Sequence, residues 1–250
     1  MSIWTDIGDF LGTTVPAAFT QVVEQVRTAF VGDPETRRKV SFSVAIIALS
    51  AKMAKADGVV TQDEVSAFRE IFAVPDHELD NVSRLYNLAK QDVAGFHSYA
   101  NQVRSLFPGD DPTDADILTD VLDALFHIAK ADTFIHENEL LFLEDISVIF
   151  GFDAAAFEGL KARHMLNAAD NPYRVLGVEP DLSYDELKTA YRQRLRDNHP
   201  DKLIARGVPP EFVAIANERM AAMNVAWETI EKLHRPETPD AKSTQATEAS

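Results

Sequence analysis

The sequence has no cysteine in 250 residues. That excludes disulfides and every cysteine-ligated metal site, zinc fingers and zinc ribbons included. Glycine is scarce, at ten residues, and no glycine-rich stretch offers a phosphate-cradling loop. Long hydrophobic runs are missing. The longest uncharged stretch near the N-terminus, Phe10 to Val23, is fourteen residues and includes Thr13, Thr14, Pro16, Thr20 and Gln21. A spanning helix needs about 20 mostly apolar residues, so residues 1–30 do not read as one. They also lack the basic start and small-residue cleavage site of a secretory signal. Positive charge is outnumbered, with 24 Lys and Arg against 40 Asp and Glu, a net charge of −16. Phosphate backbones need clustered positive charge, so nucleic acid is not an expected partner. No serine sits in a nucleophile elbow and no two histidines stand at i, i+4. No enzyme active site is expected.

Hydrophobic residues make up 46% of the chain, enough for real cores in one large or two small domains. From Val40 to about Asn167 the apolar residues recur at helical spacing, with no strand alternation. Breaks fall at Asp57-Gly58, Pro75-Asp76, Pro108 to Pro112, Asp132-Thr133 and Gly151. The expected class is all-α. Ahead of this body, residues 1–30 are amphipathic. Without a lysine-rich polar face, packing on the body or a partner is favoured over peripheral membrane contact.

The body contains an internal repeat. Met53 to Val65 (MAKADGVVTQDEV) and Ile128 to Leu140 (IAKADTFIHENEL) align at an offset of 75 with five identities. Two helix–turn–helix units packed about a pseudo-twofold axis are expected. The repeat places Asp57 and Glu64 in one copy and Asp132 and Glu139 in the other. These four carboxylates raise the possibility of one shared divalent cation. They do not form an EF-hand, because Met53, Lys55, Ile128 and Lys130 occupy the first ligand positions. Helix capping explains the same residues without metal: Thr61 and Glu64 have capping-box spacing, and Asp57 suits the end of a turn. Capping is the favoured reading, and no cofactor is expected.

Near the C-terminus His199-Pro200-Asp201 stands between two amphipathic helical segments, Asp185 to Asn198 and Pro209 to Leu233. Pro200 stops the first helix and biases His199 toward extended backbone, so the three residues form the tip of a helical hairpin. Leu187, Tyr191 and Leu195 form one apolar stripe. Phe212, Ile215, Ala216, Met223, Trp227 and Ile230 form the other, and the two are expected to face each other. Lys188, Arg192 and Arg196 fall at i, i+4 and i+8 on the opposite face and lead to His199. Upstream, Asn171 is a suitable N-cap with Pro172 at the first helical position, and Gly177 ends the turn. Ser183 and Glu186 have capping-box spacing.

In order, Asn171-Pro172-Tyr173 through Val178, Ser183, Leu187-Lys188, Ala190-Tyr191-Arg192, His199-Pro200-Asp201-Lys202 and Asn224-Val225-Ala226-Trp227 resemble the J domain of DnaJ-type co-chaperones. Two positions depart from that pattern: Arg194 stands where an apolar residue is usual, and Asn198 where an aromatic often is. The body resembles the TerB-like domain, whose Ala-Lys-Ala-Asp-Gly turn is Ala54 to Gly58 here. A TerB-like body followed by a J domain resembles the DjlA-type co-chaperones, in which a membrane-spanning segment often precedes the body.

The resemblance implies a DnaK-type Hsp70 as partner and stimulation of its ATP hydrolysis as role. It implies docking by Lys188, Arg192 and Arg196, and engagement by His199, Pro200, Asp201 and Lys202. The body would recruit unfolded or specific client proteins, or set location. ATP and Hsp70 place such a protein in the cytoplasm. Charge agrees with a separate module. Residues 170–235 hold eleven acids and ten bases, a net of −1, which leaves −15 for the rest.

The expected domains are residues 1–35 as an amphipathic segment, 36–168 as the TerB-like body, 169–235 as the J domain and 236–250 as a disordered tail. With only a few residues between the body's last helix and Asn171, restricted motion between the two is expected. A second reading stays open: a metal- or stress-responsive adaptor with a weakened J domain, suggested by Arg194, Asn198 and the repeated acids.

Overall fold

The segment VSFSVAIIALSAKMA, residues 40–54, has no polar face wide enough for solvent, and a helix of that kind is buried on all sides. In the computed structural model, which describes residues 7, 18–30, 32–56, 79–92, 95–109, 113–130, 135–166 and 168–234, it is the central helix of the body. This helix, α2 (Pro34–Ala56), follows α1 (Phe19–Ala29). Around α2 pack α3 (Leu79–Gln91), α4 (Phe96–Arg104), α5 (Asp114–Ala129) and α6 (Glu137–Phe150). Helix α7 (Ala154–Met165) lies against α5. Every regular element among the described residues is helical.

Polar groups inside α2 are satisfied. Ser50 Oγ donates to the Ile46 carbonyl, and Lys52 Nζ donates to the Asp92 carbonyl at 3.0 Å. The Lys52 ammonium also stands 4.1 Å over the Tyr99 ring, whose hydroxyl donates to Asp92 Oδ2 at 2.7 Å. Helix α1 buries Phe19, Val22, Val23 and Val26, with Phe19 stacked on Tyr99 at 4.3 Å. The described part of the N-terminal segment thus packs on the body. No described helix is long and apolar enough to cross a membrane.

The sequence repeat is half visible. Its first helices, α2 and α5, pack together, and α6 is the second helix of the second copy. The matching segment of the first copy lies outside the described residues, as do Asp57, Glu64 and Asp132. A further break that the sequence pattern did not mark separates α3 from α4, ahead of Gly95.

The C-terminal part begins with α8 (Pro172–Leu176), capped by Gly177 at φ +63°. Helix α9 (Tyr184–Asp197) starts in a Ser183–Glu186 capping box, with the Glu186 carboxylate accepting from the Ser183 N–H at 2.9 Å. A short α10 (Pro200–Arg206), a 3-10 turn (Pro210–Phe212) and the long α11 (Val213–His234) complete the chain's described part. Helices α8, α9 and α11 close a small core of Val175, Leu176, Leu187, Met223, Ala226, Trp227 and Ile230. Tyr191 stacks on Trp227 with centroids 4.8 Å apart, and its hydroxyl donates to Asn224 Oδ1 at 2.9 Å.

The apolar stripe of α11 does not all face α9, as the sequence led us to expect. Phe212, Ile215 and Ala216 enter the body's core together with Leu203 and Val208. Phe212 meets Phe42 of α2 edge-on at 4.6 Å. The reason is geometric. The tip end of the hairpin is held by polar bonds, so the first turns of α11 are left to bury their apolar side elsewhere.

Candidate functional site

Pro200 has no N–H to give a helix and a fixed φ suited to its first position, so a new helix starts there rather than a bare loop. His199 is its N-cap, and its Nδ1 accepts from the Asp201 N–H at 3.2 Å. An imidazole accepting at Nδ1 carries its proton on Nε2, which leaves that N–H for a partner. The Asp201 carboxylate projects outward, with its side chain 87% exposed. At the tip of the hairpin, His199, Pro200 and Asp201 thus form the N-terminus of a short helix.

Helix α9 presents the basic line. Arg192 and Arg196 are exposed and Lys188 is half-buried, with its Nζ 5.7 Å from the Tyr184 ring centre. Arg196 Nε reaches only the Arg192 carbonyl, at 3.4 Å. None of the three forms an ion pair with a described residue. Their charge faces solvent on the same module as the tip. Lys202 differs from them: its Nζ donates to Asp197 Oδ1 at 2.9 Å, across the tip. That hydrogen bond is the main cause that holds the Asp197 carboxyl below its usual range.

Behind the tip lies a polar cluster that the sequence did not reveal. Arg219 of α11 is buried, and its Nε donates to Asp123 Oδ2 at 2.7 Å while Nη1 donates to Asp120 Oδ1 at 3.0 Å. His164 of α7 approaches the other oxygen, Asp123 Oδ1, at 2.9 Å and stacks on Phe126. Burial pushes the Asp123 carboxyl up, but Arg219, His164 and Arg163 outweigh it and hold the group well below the usual carboxylate range. Asp120 goes the other way. Burial raises it, Arg219 and Arg206 oppose without prevailing, and the neighbouring Asp123 charge adds to the rise. Burial lowers Arg163 to about 10, with Arg219 and Arg194 adding to the effect.

The two parts of the chain meet at further points. Arg206 Nη1 pairs with Asp116 Oδ2 at 3.0 Å, and Glu218 pairs with His127 and, at 3.7 Å, with Lys130. Arg174 reaches Glu158 at 3.3 Å. The sequence signal for this junction was present but small: Asp120 and Asp123, at i, i+3, interrupt the otherwise apolar run of α5.

Of the four acids considered for a cation, only Glu139 lies among the described residues. It is buried and accepts from the His136 N–H at 2.9 Å, the reciprocal half of a capping box. No group of three or more potential ligands occurs among the described residues.

Comparison with known proteins agrees with this division. Residues 43–162 match the family described as Tellurite resistance protein TerB, and residues 171–236 match the DnaJ domain. The chain is 29% identical over 223 residues to Co-chaperone protein DjlA of Photobacterium profundum, covering 78% of each. It belongs with the DjlA-type, DnaJ-like co-chaperones. Co-chaperone protein DjlA of Aliivibrio fischeri is 25% identical over 236 residues, covering 80% of this chain and 81% of the relative. That of Vibrio cholerae is 44% identical over 71 residues, 28% of this chain and 24% of the relative. No solved structure matches. The TerB region supplies α2 to α7, and the J domain supplies the tip, the basic line and Arg219.

Proposed function

We propose that the J domain docks on the ATP-bound form of a DnaK-type Hsp70 and stimulates its ATP hydrolysis, while the TerB region recruits client proteins or sets location. The carrying observation is that Arg192, Arg196, His199 and Asp201 stay exposed although the J domain is seated on the body. Lys188, Arg192 and Arg196 give the encounter its speed and selectivity for an acidic surface, and such an encounter weakens with salt. Asp201 offers a carboxylate to a partner's arginine, and His199 offers its Nε2 proton. Lys202 acts indirectly, by closing the tip onto Asp197. The chain performs no chemistry of its own. It works in the cytoplasm, where ATP and Hsp70 occur together.

The test is steady-state ATP hydrolysis by a DnaK-type Hsp70 with the whole protein, beside His199→Gln. Stimulation that is lost in the variant supports the reading. No stimulation by the folded wild-type protein, with a cognate Hsp70, sinks it.

A further inference from the structure

The tip has a stem, residues 197 and 198, and both stem residues are held by arginines that also grip the body. Arg219 Nη1 donates to Asn198 Oδ1 at 2.6 Å while the same guanidinium donates to Asp120 and Asp123. Arg206 Nη2 donates to the Asp197 carbonyl at 2.9 Å while its Nη1 pairs with Asp116. From this double use, and resting on the Hsp70 reading above, we infer that the TerB region sets the pose of the His199-Pro200-Asp201 tip through Arg219 and Asn198. The two are positioning residues for Hsp70 stimulation, and the body is a working part of the J domain's active surface.

Three observations carry this. First, the J domain's own core lies at the far end of the hairpin, around Leu187, Trp227 and Ile230. At the tip end the apolar residues, Leu203, Val208, Phe212 and Ile215, belong to the body's core instead. The stem is therefore held from two sides: α9 rests on the hairpin's core through Leu187, Tyr191 and Leu195, and its end is tied to the body.

Second, Arg219 keeps its place only because the body supplies two carboxylates. A buried guanidinium without countercharge costs several kcal/mol, and its planar fork has donors enough to serve both acids and a third acceptor. That third acceptor is the Asn198 side chain. Asp120 and Asp123 thus fix Arg219, Arg219 fixes Asn198, and the next residue is His199.

Third, the side chain at 198 suits this task and no apolar one would. Its Oδ1 takes the Arg219 bond and its Nδ2 donates to the Arg194 carbonyl at 2.7 Å, closing the end of α9. A leucine or phenylalanine at this position would have no acceptor to offer Arg219. Arg194, which like Asn198 departs from the J-domain pattern, donates to the Gly177 carbonyl at 3.3 Å and lies on the same side as Arg163. Of the two departures, Asn198 bonds to the arginine that also holds the body, whereas the Arg194 bond stays within the J domain.

Asn198 lines a cleft of about 670 Å³ between the two parts, so a change there has room and leaves the latch to Asp120 and Asp123 in place. The whole protein carries the test, as wild type, Asn198→Leu and Asn198→Asp. Leucine removes both bonds; aspartate keeps an acceptor for Arg219 and gives up only the bond to Arg194. Two quantities are read: ATP hydrolysis by a DnaK-type Hsp70 titrated with each protein, and hydrogen exchange of the backbone N–H groups of His199, Asp201, Lys202 and Leu203.

In Asn198→Leu the maximal stimulation should fall about fivefold, the effect of one partly exposed hydrogen bond to a charged group. The concentration at half-maximum should change little, because the basic line on α9 is intact. Tip amides should exchange faster. Asn198→Asp should match wild type in both. Unchanged stimulation and exchange in Asn198→Leu would overturn the inference, and so would an Asn198→Asp that behaves like it. If the wild type gives no stimulation, the Hsp70 reading has failed on its own. Exchange then decides the relay: faster in leucine alone supports it, and equal rates in all three overturn it.

Discussion

Arg219 Nε donates to Asp123 Oδ2 at 2.7 Å across the junction of J domain and body, with both side chains almost wholly buried. Burying an ion pair gains little over an apolar contact, but removing one partner strands the other in a medium that solvates it poorly. Here one arginine neutralises two acids, so its loss is worse than the loss of either acid. Arg219→Met should cost about 3–5 kcal/mol. Denaturant unfolding should show it as a transition that is single in the wild type and splits in the variant, with the J domain parting from the body before the body melts. A single unshifted transition would mean that the apolar contacts of Phe212 and Ile215 alone hold the junction.

The same pair fixes the direction of the acid response. The folded pKa of Asp123 lies below its unfolded value, so its ionised form stabilises the native state. That contribution is complete above the ordinary carboxylate range and is lost as pH falls below about 4. Asp120, raised by burial, acts in the opposite sense and at higher pH: its protonation relieves a cost between its raised folded pKa and the ordinary carboxylate value, before the Asp123 loss sets in. Urea unfolding from about pH 7 down to about pH 2.5 should show stability dropping at the acid end in the wild type. In Asp123→Asn the starting stability should be lower and the acid limb flatter. Equal limbs in the two proteins would place the acid response elsewhere.

Local rules carried much of the fold in the sequence. The Ser183–Glu186 capping box, Pro172 at a first helical position, the Gly177 and Gly151 terminations and the buried α2 all follow from residue type and spacing. The relation between the two parts was only partly legible. The few residues linking α7 to α8 indicated close quarters, but the contact rests on pairings between residues about a hundred positions apart. Asp120 and Asp123 read as mere interruptions of an apolar run, and Lys52 reads as the polar edge of a helix that in fact has none. Arg219 falls four residues after Ile215 and four before Met223, in line with the apolar stripe of α11, so spacing put it on the buried face without showing what it meets there. A buried charge is recognisable only once its countercharge is placed, and periodicity does not carry that information. The tip and its basic line were legible because they are exposed and local. What holds them in position was not, because Asn198 and Arg219 have meaning only beside the body.

Gly207 ends α10 directly after the tip, and two separate constraints meet there. Its φ of +102° is a backbone conformation that an L side chain adopts only with strain. A Cβ at this position would also lie 2.6 Å from Cβ of Arg38, an atom fixed to the α2 backbone that cannot swing aside. Gly177 shares only the first constraint. Its φ is +63°, and an added Cβ would meet nothing nearer than Arg194 Nη2 at 3.4 Å, the mobile end of a long side chain. Gly177→Ala should therefore cost about 1 kcal/mol. Gly207→Ala should cost about 2–4 kcal/mol, because strain and overlap add. Equilibrium unfolding of the two variants separates these terms. The double variant Gly207→Ala with Arg38→Gly, which removes the opposing Cβ, tests the overlap directly. Set against Arg38→Gly alone, Gly207→Ala should then cost no more than Gly177→Ala does in the wild type. If it still costs as much as before, the overlap with α2 is not what makes glycine necessary, and backbone conformation alone accounts for it.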